Sequence, residues 1–239
     1  MTTHKVPSRN NILEALIGFI SHYICKLLVR TTITPNQITF ISGIFGIIGA
    51  YLLTLNYYKY TFLAGIFIVL FSIFDGVDGD IARMKNMQSH FGKWLDIFFD
   101  RFNDLLIILG LSVGVYFRTN NISALYLGII LMGLVFFIQF SMVINSVIFS
   151  ESKTNSKSNI EKSYRKKIKN NKNLLSINKV IKFIGEHLLL EHCAFLFIVS
   201  FFAVINQTEY GLYFLVFHAI FTLVYIIITS GTIILIRSD

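Results

Sequence analysis

Acidic residues are scarce in this chain, thirteen Asp and Glu against twenty-one Lys and Arg, and charged residues of both signs make up only 14% of it. With 54% hydrophobic residues and a mean hydropathy of +0.66, that poverty of charge excludes a soluble core and leaves one membrane-embedded domain spanning residues 1–239. Cysteine is nearly absent as well. Cys25 and Cys193 form no disulfide framework, and both fit reduced or lipid-buried thiols better than a bridge. A cleavable signal is not expected, because the first ten residues are polar and the apolar stretch behind them carries Glu14, His22 and Lys26. The one long basic run, within residues 151–173, lacks interleaved aromatics apart from Tyr164, which argues against nucleic acid and for a surface loop touching anionic lipid.

Six of those thirteen acidic residues stand between Phe74 and Asp104: Asp75, Asp78, Asp80, Asp96, Asp100 and Asp104. The runs on either side, TFLAGIFIVLFSIF and LLIILGLSVGVY, read as membrane-buried. Ionisable groups at that depth cost several kcal/mol each unless paired, hydrated or metal-bound, so they mark a functional site. Asp75 and Asp78 are three residues apart, while Asp96, Asp100 and Asp104 recur every four, so each helix shows its carboxylates on one face. Two antiparallel helices joined by a short turn bring the two faces together. Four like charges so placed repel unless divalent cations neutralise them, and oxygen-only ligands favour a hard ion such as Mg²⁺, or Mn²⁺, in a site that clamps phosphate oxygens.

The order Asp75-x2-Asp78-Gly79-x2-Ala82-Arg83-x8-Gly92-x3-Asp96-x3-Asp100 resembles, at all eight fixed positions, the signature of the CDP-alcohol phosphotransferases. The resemblance implies that Asp75, Asp78, Asp96 and Asp100 surround two metal ions, that Asp100 is also the base for the acceptor hydroxyl, and that Gly79, Ala82, Arg83 and Gly92 form the pocket for CDP. LVRTTITPNQIT, with the signature itself, is most similar to the inositol-phosphate branch of that family. Thr34-Pro35-Asn36 reads as a helix start, and Asn36 and Thr39 either line the nucleotide pocket or serve only as capping residues. The branch's basic run for an acceptor phosphate has no counterpart in QFSMVINSVIFS, which leaves Ser141, Asn145 and Lys153 as acceptor candidates. The expected partners are a CDP-linked alcohol or lipid, an acceptor alcohol and membrane lipids, with a homodimer as a candidate assembly and no nucleic acid. A proton- or ion-coupled transporter is the alternative from a different class, and it leaves the Gly-x2-Ala-Arg segment unexplained.

The expected architecture is all-α and integral to the membrane. An interfacial amphipathic helix over residues 10–30 shows Glu14, Gly18, Ser21, His22 and Lys26 on one stripe. Six spans follow, beginning near residues 34, 60, 90, 122, 188 and 209, with a second interfacial helix over 174–186. Ten of the twenty-one basic residues lie between Lys153 and Lys182, and most of the others fall on the same side, so both termini and the aspartates are placed at the cytoplasmic face of the cell membrane. Outside the signature, Asp80 is expected to be solvated or paired with Lys85, and Asp104 to pair with Arg101 or a neighbouring helix. In GEHLLLEHC, His187 and Glu191, flanked by Glu186 and His192, are expected to be solvated or to meet lipid headgroups rather than a metal.

Overall fold

In a computed structural model of the chain, which describes residues 12–55, 57–155 and 192–238, with side chains over 17–55, 57–145 and 192–229, seven α-helices and no strand occur among the described residues. They are α1 (Ile12–Leu28), α2 (Pro35–Thr54), α3 (Tyr58–Met84), α4 (His90–Thr119), α5 (Ser123–Asn155), α6 (His192–Val204) and α7 (Thr208–Ser238). Among the described residues four stretches are long and apolar enough to cross a membrane: Pro35–Thr54, Tyr58–Met84, Ser123–Asn145 and Thr208–Thr229. Helix starts at Pro35, Tyr58, His90, Ser123 and Thr208 agree with the expected starts to within about two residues. The fourth expected span is part of a longer helix, since α5 continues through Asn155 into the segment expected to be loop. The 174–186 helix and most of the 151–173 loop lie outside the described residues.

The chain divides into two compact units, one within Met1–Met132 and Glu191–Leu215, the other within Gly133–Leu190 and Val216–Asp239. In the first, α2 packs along both α3 and α4, α1 packs along α3, and α6 packs along α3. Between helices in lipid there is no hydrophobic driving force, so close backbone approach has to supply the attraction, and small residues permit it. The middle of the buried face of α2 is accordingly small, Ser42, Gly43, Gly46, Gly49 and Ala50, between Ile38 and Leu53 at its two ends. Across from it, Gly110 and Gly114 of α4 lie against the backbone carbonyls of Ala50 and Leu53 so closely that a Cβ at either would strike them. Bulky residues point outward instead, among them Phe40, Ile44, Ile47 and Tyr51 of α2.

A helix, α1, forms within the 10–30 segment, over Ile12–Leu28. Its Gly18, Ser21 and Cys25 are buried against α3, with Ser21 Oγ 3.2 Å from the Ile73 carbonyl, while Phe19, Tyr23 and Leu27 face out. The start of α2 is a full capping box: the Gln37 amide donates to Thr34 Oγ1 (3.4 Å) and the Thr34 amide to Gln37 Oε1 (2.9 Å), with Pro35 in the first turn.

The turn between α3 and α4 is set by one residue. Asn86 adopts a left-handed conformation (φ 54°), which lets its amide reach the Arg83 carbonyl (3.3 Å) and the Met87 amide reach that of Ala82 (2.9 Å), the Schellman closure of a helix end. Ser89 then caps α4 by accepting from the Gly92 amide at 2.9 Å. Lys85 ties this turn to the α1–α2 connection by donating to the carbonyls of Thr31 and Ile33, both at 2.7 Å. Lys85 is therefore not the partner of Asp80. The nearer Arg83, one helical turn along the same face, takes that place at 2.5 Å.

Candidate active site between the aspartate helices

The last three turns of α3 and about the first four of α4 carry the six aspartates, and the signature set converges. Asp75 has Asp78, Asp96 and Asp100 as charged neighbours, and the Asp96 side chain is within hydrogen-bonding reach of Asp75. Asp78 is buried and accepts a 2.5 Å hydrogen bond from Thr39 Oγ1, which fixes one of its carboxylate oxygens from α2. Thr39 thus does more than cap: it orients an aspartate of the signature, a role not foreseen for it.

Beside Asp78 opens a cavity of about 600 Å³, lined by Asn36 and Thr39 of α2, by Asp78, Gly79, Ala82 and Arg83 of α3, and by Gly92 and Asp96 of α4. All six residues expected to form the nucleotide pocket are on its wall. The turn residues Met87, Gln88 and Ser89, with His90 and Lys93, complete it, and the signature motif had given no sign of them. At Gly92 α4 lies close to α2, since a Cβ there would sit 3.0 Å from Asn36 Oδ1 as well as from the capping Ser89 Oγ. Arg83 leans over this opening, exposed on one side and held by Asp80 on the other.

Apart from the residues that line the cavity stands a second group. Asp75, Asp100 and His192 each offer a ligand atom within 4.8 Å of the other two. His192, the first described residue of α6, meets the edge of the Phe71 ring (centroids 5.9 Å apart), with Nε2 3.5 Å from Asp100 Oδ1 and Nδ1 3.1 Å from Asp104 Oδ1. This corrects the expected solvated or headgroup position of His192: α6 packs on α3, and that seats the ring against the aspartates instead of at the surface. His187, Glu186 and Glu191 lie outside the described residues. Arg101 Nη1 sits 2.9 Å from Asp104 Oδ2 and its Nη2 3.6 Å from Asp100 Oδ2, as expected for Asp104. Asp100 Oδ1, Asp104 Oδ1 and both His192 ring nitrogens are buried without a well-formed hydrogen bond. Buried polar atoms in that state require a partner, and a hard-donor cluster of carboxylates suits a divalent cation.

Ser141 and Asn145 fall on α5 within the second unit, one turn apart, and the Lys153 side chain lies outside the described residues.

Residues 32–224 match the CDP-alcohol phosphatidyltransferase family, and the chain belongs to it. Divalent-metal dependence is general to that family, and with four helices able to cross a membrane the protein is a multi-pass membrane protein. The chain is 35% identical over 89 residues to the archaetidylinositol phosphate synthase of Pyrococcus horikoshii, covering 37% of this chain and 46% of that one. To the phosphatidylinositol phosphate synthase of Cutibacterium acnes it is 36% identical over 115 residues, 47% of this chain and 53% of that one. The chain therefore spans about half the length of these two curated relatives. A crystal structure of Mycobacterium tuberculosis phosphatidylinositol phosphate synthase with CDP-DAG bound shares the fold, with a TM-score of 0.59 at 18% identity over 86% of this chain and 90% of that one.

Proposed function

We propose that this protein transfers a phospho-alcohol group from a CDP-linked alcohol to the hydroxyl of an acceptor alcohol and releases CMP. The observation that supports this best is the cavity whose wall holds Asn36, Thr39, Gly79, Ala82, Arg83 and Gly92 together with Asp78 and Asp96. A CDP group lies there with its pyrophosphate toward the aspartates, where Arg83 and Lys93 offset phosphate charge. Asp75, Asp78, Asp96 and Asp100 hold two divalent ions, Mg²⁺ or Mn²⁺. Such ions, when bound, neutralise phosphate oxygens and the charge that develops as the bond to CMP breaks.

The chain's own groups do the rest. Thr39 fixes Asp78, and the α2 face fixes α3 against α4, so the carboxylates keep their positions through turnover. Asp100 takes the proton of the acceptor hydroxyl as its oxygen attacks the phosphorus that bears the alcohol. A new phosphorus–oxygen bond forms there, the bridging bond to the cytidylyl phosphate breaks, and CMP carries away the bridging oxygen.

The names of the relatives point to an inositol-phosphate acceptor and a CDP-linked lipid donor. Ser141, Asn145 and Lys153 are the residues proposed to meet the acceptor. The chain is taken as a single domain of six spans with an interfacial first helix, active as a monomer or homodimer, with its aspartates and both termini toward the cytoplasm. Incubating the purified full chain with CDP-diacylglycerol, CDP-archaeol or CDP-inositol against inositol phosphate, glycerol phosphate and serine tests the reading. CMP release that needs one donor and one acceptor, and that stops with EDTA, is the expected result; absence of CMP release across the panel would refute it.

A further inference from the structure

His192 lies outside the aspartate signature, and nothing in the proposed transfer uses it. Yet it brings a nitrogen donor beside the aspartates: one of its ring nitrogens and one oxygen each of Asp75 and Asp100 lie within 4.8 Å of one another, and its Nε2 stands 3.5 Å from Asp100 Oδ1. Ligands at about 2.1 Å around one ion stand roughly 3 to 4.3 Å apart, so a small closing movement of three side chains encloses a cation. The other ring nitrogen faces Asp104 Oδ1 at 3.1 Å, and Asp104, with 5% of its side chain exposed, is held in turn by Arg101 at 2.9 Å. A carboxylate behind a histidine is the arrangement that fixes the imidazole tautomer with Nδ1 protonated and Nε2 free to ligate. Buried atoms of this group lack a well-formed hydrogen bond: His192 Nε2, His192 Nδ1, Asp104 Oδ1 and Asp100 Oδ1.

We propose that His192 is a metal ligand through Nε2, completing with Asp75 and Asp100 a mixed nitrogen–oxygen site, with Asp104 and Arg101 positioning its ring. The proposal rests on the reading of the aspartates as metal-binding. It carries a consequence for the choice of ion, because an imidazole ligand favours transition metals over Mg²⁺ where carboxylates alone do not.

The test is Mn²⁺ titrated into the detergent-solubilised full chain, read by electron spin echo envelope modulation, beside competition between Mn²⁺ and Mg²⁺ in the wild type, His192→Gln and Asp75→Asn. The wild type should show modulation from a directly bound nitrogen. His192→Gln should lose it and should lower the Mn²⁺-to-Mg²⁺ affinity ratio by about tenfold. Asp104→Asn, which keeps the imidazole, should retain the modulation with weakened Mn²⁺ affinity. Mn²⁺ bound tightly and dependent on Asp75, but without nitrogen modulation, would overturn the proposal and leave the aspartate reading standing, with His192 then only an ion-pair partner of Asp100 and Asp104. Modulation that persists in His192→Gln would overturn it equally. Failure of Mn²⁺ to bind the wild type would overturn both.

Discussion

Replacing Thr39 by Val removes one hydroxyl from the centre of the site and little else. Thr39 is buried, with 3% of its surface exposed, and its Oγ1 donates at 2.5 Å to Asp78, which is buried to nearly the same degree. Valine keeps the β-branched shape that α2 needs at this position, so backbone and neighbours have no reason to move. A hydrogen bond to a charged group contributes about 1.5–3 kcal/mol, and Asp78 would have no replacement donor from α2. If that bond holds Asp78 in the metal-binding orientation, its loss should lower kcat/KM for CMP release by about tenfold to 150-fold. Divalent-ion affinity should weaken in parallel, by about 10- to 100-fold as for other residues behind a ligand. Thr39→Ser, which keeps the donor, should recover most of both. The assay is CMP release across a Mg²⁺ titration for the three proteins. Wild-type ion affinity and a rate within threefold of wild type in Thr39→Val would refute the argument, and so would a serine variant as impaired as the valine one.

Asp75→Asn, Asp78→Asn and Asp96→Asn should each abolish turnover and weaken ion binding, since each removes a hard anionic ligand; near-normal activity with EDTA present would sink the metal assignment. Asp100→Asn should lose more in kcat than in affinity for the CDP-alcohol, measured by separate binding and turnover assays, because a base acts in the transition state. Arg83→Lys should raise KM for the CDP-alcohol, because a point charge does not reproduce a planar fork on phosphate, and an unchanged KM would remove Arg83 from the phosphate site. Gly110→Ala should destabilise the fold by about 1–3 kcal/mol in a thermal-shift measurement, its Cβ meeting the Ala50 carbonyl, whereas Gly133→Ala, with nothing within 4 Å of the added carbon, should not.

Whatever in this protein follows from local periodicity was legible in the sequence. Carboxylates every three or four residues announced one face of each helix, and Thr34-Pro35-Asn36 announced the start of α2, because both depend on neighbours in the chain. Contacts across long separations were not legible. Thr39 and Asp78 are thirty-nine residues apart, and nothing at either position signals the other. His192 stood among Glu186, His187 and Glu191 in a stretch that reads as an interfacial patch, and only the seating of α6 on α3 turns it toward Asp100. Its one available signal was a histidine at the mouth of an apolar span on the aspartates' side. The misplaced partner of Asp80 has a local cause: Arg83, three residues along the helix, and Lys85, beyond its end, compete for one carboxylate, and Lys85 is taken by the carbonyls of Thr31 and Ile33.

The length of α3 explains how a site for charged substrates can be built from membrane-spanning helices. Its 27 residues rise about 1.5 Å each, about 40 Å in all, against a hydrocarbon layer of about 30 Å. One end is marked by Tyr57 and Tyr58, strongly exposed aromatics of the kind that settle at a membrane interface. At that same end Arg118 of α4 donates to the Asn206 carbonyl at 2.8 Å, and Thr61 of α3 to Asn206 Oδ1 at 3.4 Å, which ties three elements together away from the aspartates. Counting about twenty residues from Tyr58 exhausts the hydrocarbon near Val77. Asp78, Asp80 and Arg83 then fall beyond it, in the last two turns, where Asp78 and Arg83 line the cavity. Asp75 sits one turn deeper, beside Asp100 and His192. The signature is thus divided along the helix: Asp78, Gly79, Ala82 and Arg83 line the cavity, and Asp75 stands with the second group. A helix about seven residues shorter would end at the hydrocarbon boundary and lose the outer half of that division.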